Sequence, residues 1–265
     1  MSDQRYPLSL AAWSLHRTFE AGEIDQLGMV QVAGKLGFTG FEMVNTFFPA
    51  PTYAYLQELR SLADGVGVEL LLIMCDEEGD LAADDRTERL QAARNHRRWV
   101  DVAATLGCRA IRVDVGVEHA SPQPTLEHAV ESLVALLDYA AGEVKVLIEN
   151  HGGVSSDPAW IVALIERVGD PNIGALPDFG NFGSFDRYEG MRALVPFAGG
   201  VSAKCYDFDE RGEETTIDFA RMIDIVRTAG YQGFIGVEYE GERLGEVDGI
   251  LAAKGLLERI EAEGV

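Results

Sequence analysis

The sequence predicts an α/β fold, a single (β/α)8 TIM barrel spanning residues 1–265, on three observations. Eight short apolar runs each precede a longer amphipathic segment, and strands that alternate with helices pair in parallel through crossover helices. The chain length matches the ~250 residues typical of such a barrel. The segment WSLHRTFE (13–20) after the first apolar run has no G-x-G-x-x-G turn, which disfavours a doubly wound nucleotide-binding sheet.

The elements follow from local patterns. The first predicted helix carries Ile24, Leu27 and Val30 at helical spacing and ends at Gly37 in the manner of a C-cap. The predicted strands are the apolar runs 8–13, 39–45, 68–75, 108–116, 144–150, 172–180, 200–208 and 234–241. The predicted helices are 23–36, 52–66, 86–106, a segment from about 125, 157–168, 188–195, 216–228 and 247–261.

The charge of the chain limits its partners. Acidic residues outnumber basic ones by 44 to 22, which gives a formal net charge of -22. A surface with this excess repels phosphate backbones, so we expect no nucleic-acid partner.

Hydropathy and cysteine content indicate the cellular location of the protein. No apolar run approaches the ~20 residues that span a bilayer. Residues 1–13 contain neither a basic region nor a cleavable apolar segment, so we expect no signal peptide, no membrane partner and a cytoplasmic location. The three cysteines are far apart and lie in or beside apolar runs, which is typical of buried thiols rather than of a disulfide framework or a zinc site.

In a TIM barrel the active site lies at the C-terminal ends of the strands, so polar residues there are candidate site residues. Such residues occur at the end of every predicted strand: Trp13, Ser14 and His16; Glu42 and Asn45; Asp76 and Glu77; Arg112 and Asp114; Glu149, Asn150 and His151; Asp178 and Asn181; Ser202, Lys204 and Tyr206; Glu238 and Glu240.

Three of these residues predict a metal site. Glu149, Asp178 and Glu238 end the fifth, sixth and eighth strands and are expected to converge on the barrel axis. Three inward carboxylates cannot all stay ionised without a counter-charge. A divalent cation is the usual remedy, and oxygen ligands suit Mg²⁺ or Mn²⁺.

Seven motifs distributed over the chain carry a family resemblance. They are WSLH (13–16), GFTGFEMVN (37–45), LGCRAIRVDVG (106–116), IENHGG (148–153), PDFGNF (177–182), SAKCYDF (202–208) and GVEYEG (236–241). At these residues the chain resembles the xylose isomerase-like TIM barrels, the sugar phosphate isomerase/epimerase superfamily.

The resemblance implies one Mn²⁺-type ion held by Glu, Asp, His and Glu from strands 5 to 8. Three ligands carry over, Glu149, Asp178 and Glu238, whereas Ser202 stands where the family usually has histidine. Three outcomes follow: three carboxylates plus water hold the metal, which we favour; His151 replaces the histidine; or the metal is lost.

The resemblance also implies proton abstraction next to the carbonyl of a keto-sugar or related polyol, with Glu149 and Glu238 as the catalytic acid/base pair. The candidate substrate-binding residues are His16, Asn45, His151 and Lys204. For Lys204 an ion pair with Asp178 is an equal alternative, and Arg112 is expected to neutralise an interior carboxylate. We expect the remaining histidines, His96, His119 and His128, at the surface.

Other functions share parts of this pattern. The same enolising step can end in β-elimination, which would make the protein a dehydratase or lyase acting on an inosose or a 3-keto-glycoside. Ser202 raises the alternative of a non-catalytic sugar-binding barrel. The acidic residues after strands 7 and 8 would repel a phosphomonoester, so we expect a neutral substrate. The resemblance also allows a homo-oligomer, because barrels of this kind often form dimers or tetramers.

Overall fold

The computed structural model describes residues 6–116 and 126–264 of the chain. Within these ranges it has eight strands: β1 Leu8–Ala11, β2 Gly40–Val44, β3 Glu69–Cys75, β4 Ala110–Val113, β5 Lys145–Glu149, β6 Ile173–Leu176, β7 Val201–Cys205 and β8 Ile235–Tyr239. The nine described α-helices are α1 His16–Glu20, α2 Gln26–Lys35, α3 Tyr53–Val66, α4 Arg86–Leu106, α5 Leu126–Ala140, α6 Pro158–Val168, α7 Arg187–Leu194, α8 Phe219–Thr228 and α9 Glu246–Glu263.

All eight strands are parallel and lie in one sheet with the order β6-β5-β4-β3-β2-β1-β8-β7. The sheet closes where the ends of this order meet. The backbone N–H of Ser202 in β7 donates to the carbonyl of Pro177 after β6 at 2.9 Å, and the N–H of Phe179 donates to the carbonyl of Ser202 at 3.0 Å. The predicted (β/α)8 TIM barrel is therefore confirmed, and every observed strand lies within its predicted apolar run.

Helix α1 is the one described helix that the sequence pattern did not predict. It has five residues and follows a short 3-10 helix at Ala12–Leu15 directly after β1. A segment this short covers little more than one helical turn, so apolar periodicity cannot reveal it. Its position places His16 and Arg17 beside the C-terminal ends of the strands.

Side-chain caps fix where many of the helices begin. In each case a side-chain oxygen accepts a hydrogen bond from a free backbone N–H of the first turn. The capping residues are Asp25, Thr52, Asp85, Asp157, Asp186 and Asp218. Part of the acidic excess therefore serves to start helices.

One buried carboxylate of the barrel interior, that of Glu42, has a neutral partner. Glu42 of β2 is 2% exposed, and the hydroxyl of Ser9 in β1 donates to its Oε1 at 2.6 Å. The Glu42 carboxylate occupies the space beside Gly236 of β8, where an added Cβ would lie 2.5 Å from Oε1. Burial raises the pKa of Glu42 to about 7.

The prediction that His96 lies at the surface is wrong. His96 is 1% exposed, its Nδ1 lies 2.8 Å from the carbonyl of Ala92, and burial lowers its pKa. The neighbouring arginines suggested a surface position, but the helical spacing of Ala92, His96 and Trp99 puts all three on the buried face of α4. His128 is half-buried, and His119 lies outside the described residues.

The three cysteines are buried and free, as expected of apolar thiols. Among the described residues, none of the helices combines the length and apolar composition that a membrane crossing requires.

Candidate active site and metal centre

Three buried carboxylates meet at the C-terminal ends of the strands. Glu149 ends β5, Asp178 follows β6 and Glu238 lies in β8, and one ligand oxygen from each lies within 4.8 Å of those of the other two. The three residues are 2%, 0% and 4% exposed. The structure thus brings together the residues that the sequence placed on the barrel axis.

Asn150 aligns two of the strand ends that carry these acids. Its Oδ1 accepts from the backbone N–H of Asp178 at 2.8 Å, and its Nδ2 donates to the carbonyl of Asp178 at 3.0 Å. Oδ1 of Asp178 in turn accepts from the N–H groups of Gly180 and Asn181, each at 2.7 Å. The other oxygen of Asp178 is therefore directed towards the cluster. The strand-end pattern marked Asn150 as a candidate but could not reveal this role, because its partner is a backbone segment 28 residues away.

Ser202 lies between two of the acids, at the position where the resemblance implies histidine. Its Oγ lies 2.9 Å from Asp178 Oδ2 and 2.9 Å from Glu238 Oε2. A hydroxyl has one proton to donate and two lone pairs, so it can serve one carboxylate as donor at a time. Ser202 adds a further oxygen to the cluster and no charge.

Lys204 supplies a positive charge beside the same acids. Its Nζ lies 3.0 Å from Glu240 Oε1, 3.4 Å from Glu238 Oε1 and 3.9 Å from Asp178 Oδ2. Burial alone would lower the pKa of Lys204, but the carboxylates of Glu238, Asp178 and Glu240 outweigh it, and the pKa is raised well above its usual range. The ammonium therefore stays charged and pairs more closely with Glu238 and Glu240 than with Asp178.

Arg112 of β4 is a second buried cation beside these acids. Its Nη1 donates to Asp76 Oδ1 and to Asp114 Oδ1, both at 2.8 Å. Its Nε lies 2.8 Å from Glu149 Oε2, yet the two atoms are not aligned as a hydrogen bond, and both lack a hydrogen-bond partner. Arg112 thus neutralises part of the charge of Glu149, whose Oε2 is ion-paired but accepts no hydrogen bond from the described residues.

The three acids differ in how easily they ionise. Burial raises the pKa of Glu149 to about 8 and that of Asp178 to about 6. Burial would also raise the pKa of Glu238, but Lys204 and the hydroxyl of Ser202 outweigh it, and that pKa is lowered. The protein charges already in place are therefore too few to keep all three carboxylates ionised at neutral pH.

These features fit a divalent cation. The donor atoms are oxygens, three carboxylates with the hydroxyl of Ser202 beside them, and Glu149 Oε2 is buried without a hydrogen-bond partner. Oxygen ligands suit hard cations such as Mg²⁺ and Mn²⁺. A bound ion would also supply the missing positive charge.

A small space opens next to Glu238, one of the three acids. This inner cavity measures about 150 Å³ and is lined by Trp13, Val44, Met74, Asp76, Arg112, His151, Glu238 and Glu240. Trp13 forms part of its apolar wall and stacks on Phe47, with ring centroids 5.8 Å apart and planes 7° apart. An apolar ring next to charged groups is the arrangement that binds the face of a sugar.

The structure places the four predicted substrate-binding residues in different surroundings. Lys204 lies in the acid cluster, and His151 lines the inner cavity with its Nδ1 3.1 Å from Asp114 Oδ1. Burial would lower the pKa of His151, but Glu149 and Asp114 outweigh it and raise the pKa to about 9. His151 is not part of the three-carboxylate cluster.

His16 and Asn45 lie outside the inner cavity. The His16 ring stacks on Trp13 at 4.9 Å and lines a second cavity on the rim, here called the outer groove, together with Arg17, Thr18, Ala21, Glu242 and Leu244 among others. The amide of Asn45 is engaged by the backbone of Asp76, with which it exchanges two hydrogen bonds of 2.8 Å. Asn45 therefore holds the ends of β2 and β3 together and lines neither space.

Comparison with known proteins agrees with this architecture. A family model described as a xylose isomerase-like TIM barrel matches residues 30–261. A putative hydroxypyruvate isomerase of Mus musculus is 28% identical over 232 residues, which are 79% of this chain and 82% of that protein. The chain also superposes on two solved structures at low sequence identity. One is the 3-keto-D-glucoside 4-epimerase of E. coli (TM-score 0.72, 17% identity, 88% of this chain and 94% of that one).

The second solved structure is that of a protein of Mycobacterium smegmatis in complex with magnesium, with a TM-score of 0.74, 16% identity and 99% coverage of both chains. These structures share the fold, and the family model covers most of the chain. The chain belongs to the xylose isomerase-like TIM barrel family.

Proposed function

We propose that the protein is a divalent-metal-dependent sugar isomerase or epimerase that moves a proton next to the carbonyl of a neutral keto-sugar or related polyol. The observation that carries the proposal is the convergence of Glu149, Asp178 and Glu238 within 4.8 Å beside a cavity. Relatives named as an isomerase and an epimerase support the reaction class.

Glu149, Asp178 and Glu238 would hold the metal ion, with Ser202 as a neighbouring oxygen. A divalent cation bound there would supply Lewis acidity, which stabilises negative charge that develops on substrate oxygens. Mn²⁺ or Mg²⁺ is our choice from the oxygen donors, and the magnesium in the Mycobacterium smegmatis neighbour supports it.

Glu149 and Glu238 are the proposed acid/base pair. They lie on β5 and β8, and β6 and β7 separate these strands around the barrel. Epimerisation requires proton transfer at both faces of one carbon, and we assign the two transfers to these two carboxylates, which come from different strands. Lys204 and His151 are the proposed hydrogen-bond donors to substrate oxygens, and Trp13 is the proposed cover for the sugar ring.

The charges around the cavity favour a neutral substrate. The cations at or beside the cavity in the described part of the chain, Arg112, Lys204 and His151, are already paired with carboxylates. Among the described residues around the cavity, a sugar phosphate or an α-keto acid would meet several carboxylates and no unpaired side-chain cation, so that only the proposed metal ion could offset its charge. We therefore place hydroxypyruvate, the substrate in the name of the mouse relative, below neutral ketoses as a substrate of this chain.

One alternative keeps the site and changes the outcome. If a leaving group is attached next to the new carbanion, the same proton abstraction ends in β-elimination, as in a dehydratase acting on an inosose or a lyase acting on a 3-keto-glycoside. The wide outer groove beside the inner cavity has room for such a group. Elimination creates a conjugated carbonyl with strong ultraviolet absorption, whereas epimerisation does not.

Deuterium exchange tests the proposal. Chelator-stripped protein is reloaded with Mn²⁺ or Mg²⁺ and incubated in D2O with ketoses and 3-keto-glucosides, and NMR follows loss of the C–H signal next to the carbonyl. We expect exchange with wild type and with the exposed control Glu58→Gln, and a loss of at least about 100-fold with Glu149→Gln or Glu238→Gln. Binding of these sugars without any exchange would instead support a non-catalytic sugar-binding barrel. Manganese as the natural ion, a cytoplasmic location and a homo-oligomer remain predictions from the sequence.

A further inference from the structure

The outer groove lies beside the candidate active site, on the rim formed by the segments that follow β1 and β8. It measures about 710 Å³. Glu240 lines both the outer groove and the inner cavity. Trp13, which lines the inner cavity, stacks on His16, which lines the groove, with their planes 10° apart. The two spaces therefore adjoin each other, with an aromatic pair at their boundary.

The sizes of the two spaces differ greatly. Pockets that bind small molecules usually measure ~300–1,000 Å³. The inner cavity, at about 150 Å³, falls below this range, and the outer groove falls within it. A ligand whose reacting part occupies the inner cavity therefore has room to continue into the groove.

The walls of the outer groove are fixed by hydrogen bonds before any ligand binds. The carboxylate of Glu246, at the start of α9, accepts from the backbone N–H of Arg17 at 2.8 Å, from the N–H of Thr18 at 3.1 Å and from the hydroxyl of Thr18. Arg17 also donates to the carbonyl of Gly241 at 2.6 Å. These bonds tie the segment after β1 to the segment after β8, so binding there would cost little ordering of the loops.

The polar groups of the groove suit a neutral, hydroxyl-rich ligand. Arg17 is engaged by Gly241 and Glu246, and Arg243 pairs with Asp207 at 2.5 Å. Glu23 and Glu242 line the groove and are exposed, and the structure gives their carboxylates no hydrogen-bond or ion-pair partner in the described part of the chain. Such carboxylates accept hydrogen bonds from hydroxyls and repel anions.

We propose that the outer groove binds a second neutral sugar unit, so that the substrate is a keto-sugar glycosidically linked to another sugar rather than a free monosaccharide. This inference rests on the function proposed above. A glycoside is closed at C1, so its reactive ketone lies on another ring carbon. A carboxylate removes a proton from the carbon next to that ketone, and an acid returns a proton to the opposite face. Nothing is oxidised or reduced.

Two matched sugars and two matched variants test this inference. The sugars are methyl β-glucoside and cellobiose, each oxidised to the ketone at C3, in cellobiose on the non-reducing ring. Ala21 is exposed and lines the groove, so Ala21→Trp fills the groove without disturbing the core. Ala104 is exposed near the end of α4, at the opposite face of the barrel, and Ala104→Trp is the control.

Metal-loaded protein is assayed by calorimetry for binding and by deuterium exchange for kcat/KM. We expect the oxidised cellobiose to exceed the methyl glucoside at least 10-fold in both quantities. Ala21→Trp should remove that advantage and leave the methyl glucoside unchanged, whereas Ala104→Trp should match wild type. Equal values for the two sugars, or equal losses for both in Ala21→Trp, would overturn the second-sugar site while leaving the proposed function intact. If neither sugar binds or exchanges while simple ketoses do, the inference also fails. If no sugar of any kind exchanges, the proposed function itself fails.

Discussion

Glu42 and Glu238 are both buried inside the barrel, yet the pKa of Glu42 is raised whereas that of Glu238 is lowered. Glu42 has one neutral partner, the hydroxyl of Ser9, and its Oε2 has no hydrogen-bond partner. Glu238 has the ammonium of Lys204 at 3.4 Å in addition to the hydroxyl of Ser202. Burial still raises the pKa of Glu149 although Arg112 lies 2.8 Å away, so a nearby cation is not sufficient by itself. At Glu238 the lowered pKa depends on the hydroxyl of Ser202 together with the ammonium of Lys204.

Removing that cation should give the largest effect. In Lys204→Met the carboxylates of Glu238 and Glu240 lose their charged partner, and breaking a buried pair costs about 3–5 kcal/mol. We expect the free energy of unfolding of chelated protein at pH 8, measured by urea titration, to fall by this amount. The exposed control is Lys35→Met in α2. Equal stability of the two variants would show that Lys204 does not compensate these acids.

Glu42→Gln should raise the free energy of unfolding rather than lower it, by an amount that depends on pH. Because the pKa of folded Glu42 is about 7 and that of an unfolded glutamate is ~4.3, the folded protein keeps a proton that the unfolded chain releases between these values. Wild-type stability should therefore fall as pH rises from about 4.5 to about 7, by roughly 3 kcal/mol for this one group.

Glu42→Gln has no titratable side chain at this position. Its stability relative to wild type should improve by roughly 2–3 kcal/mol between pH 5 and pH 8, as measured by urea unfolding of chelated protein at both pH values. The negative charge of Glu238 also raises the pKa of Glu42, so the exposed Glu58→Gln serves as a control for general charge effects. A difference between Glu42→Gln and wild type that stays constant from pH 5 to pH 8 would contradict the raised pKa.

Much of this architecture could be predicted from the sequence, because repeated strands and helices leave few topologies open. In a parallel barrel all the strand ends point to one face, so acids that end strands 5, 6 and 8 must approach one another. The same rule located Lys204 and Arg112 near those acids. The spacing of apolar residues was enough to place eight strands and eight helices.

The partners of individual polar groups could not be predicted in the same way. Asn45 ends a strand like the other candidates, but its amide bonds the backbone after β3, and only the register between β2 and β3 reveals this. The buried position of His96 could be predicted only by giving its place on the apolar face of the helix more weight than its charged neighbours. The outer groove depends on α1 and on the hydrogen bonds that Glu246 accepts from the segment after β1. Neither feature has a sequence signal longer than a few residues.

The measurement that tests the central claim most directly is a metal titration of chelator-stripped protein, followed by thermal melting. A ligand that binds only the folded state stabilises it by about 2.7 kcal/mol at 100 times its Kd. We predict that Mn²⁺ or Mg²⁺ raises the Tm of wild type and of Glu58→Gln in this way, and that Glu149→Gln loses most of the increase. If no divalent ion raises the Tm of wild type, or if Glu149→Gln responds as wild type does, then these three carboxylates do not form the metal centre.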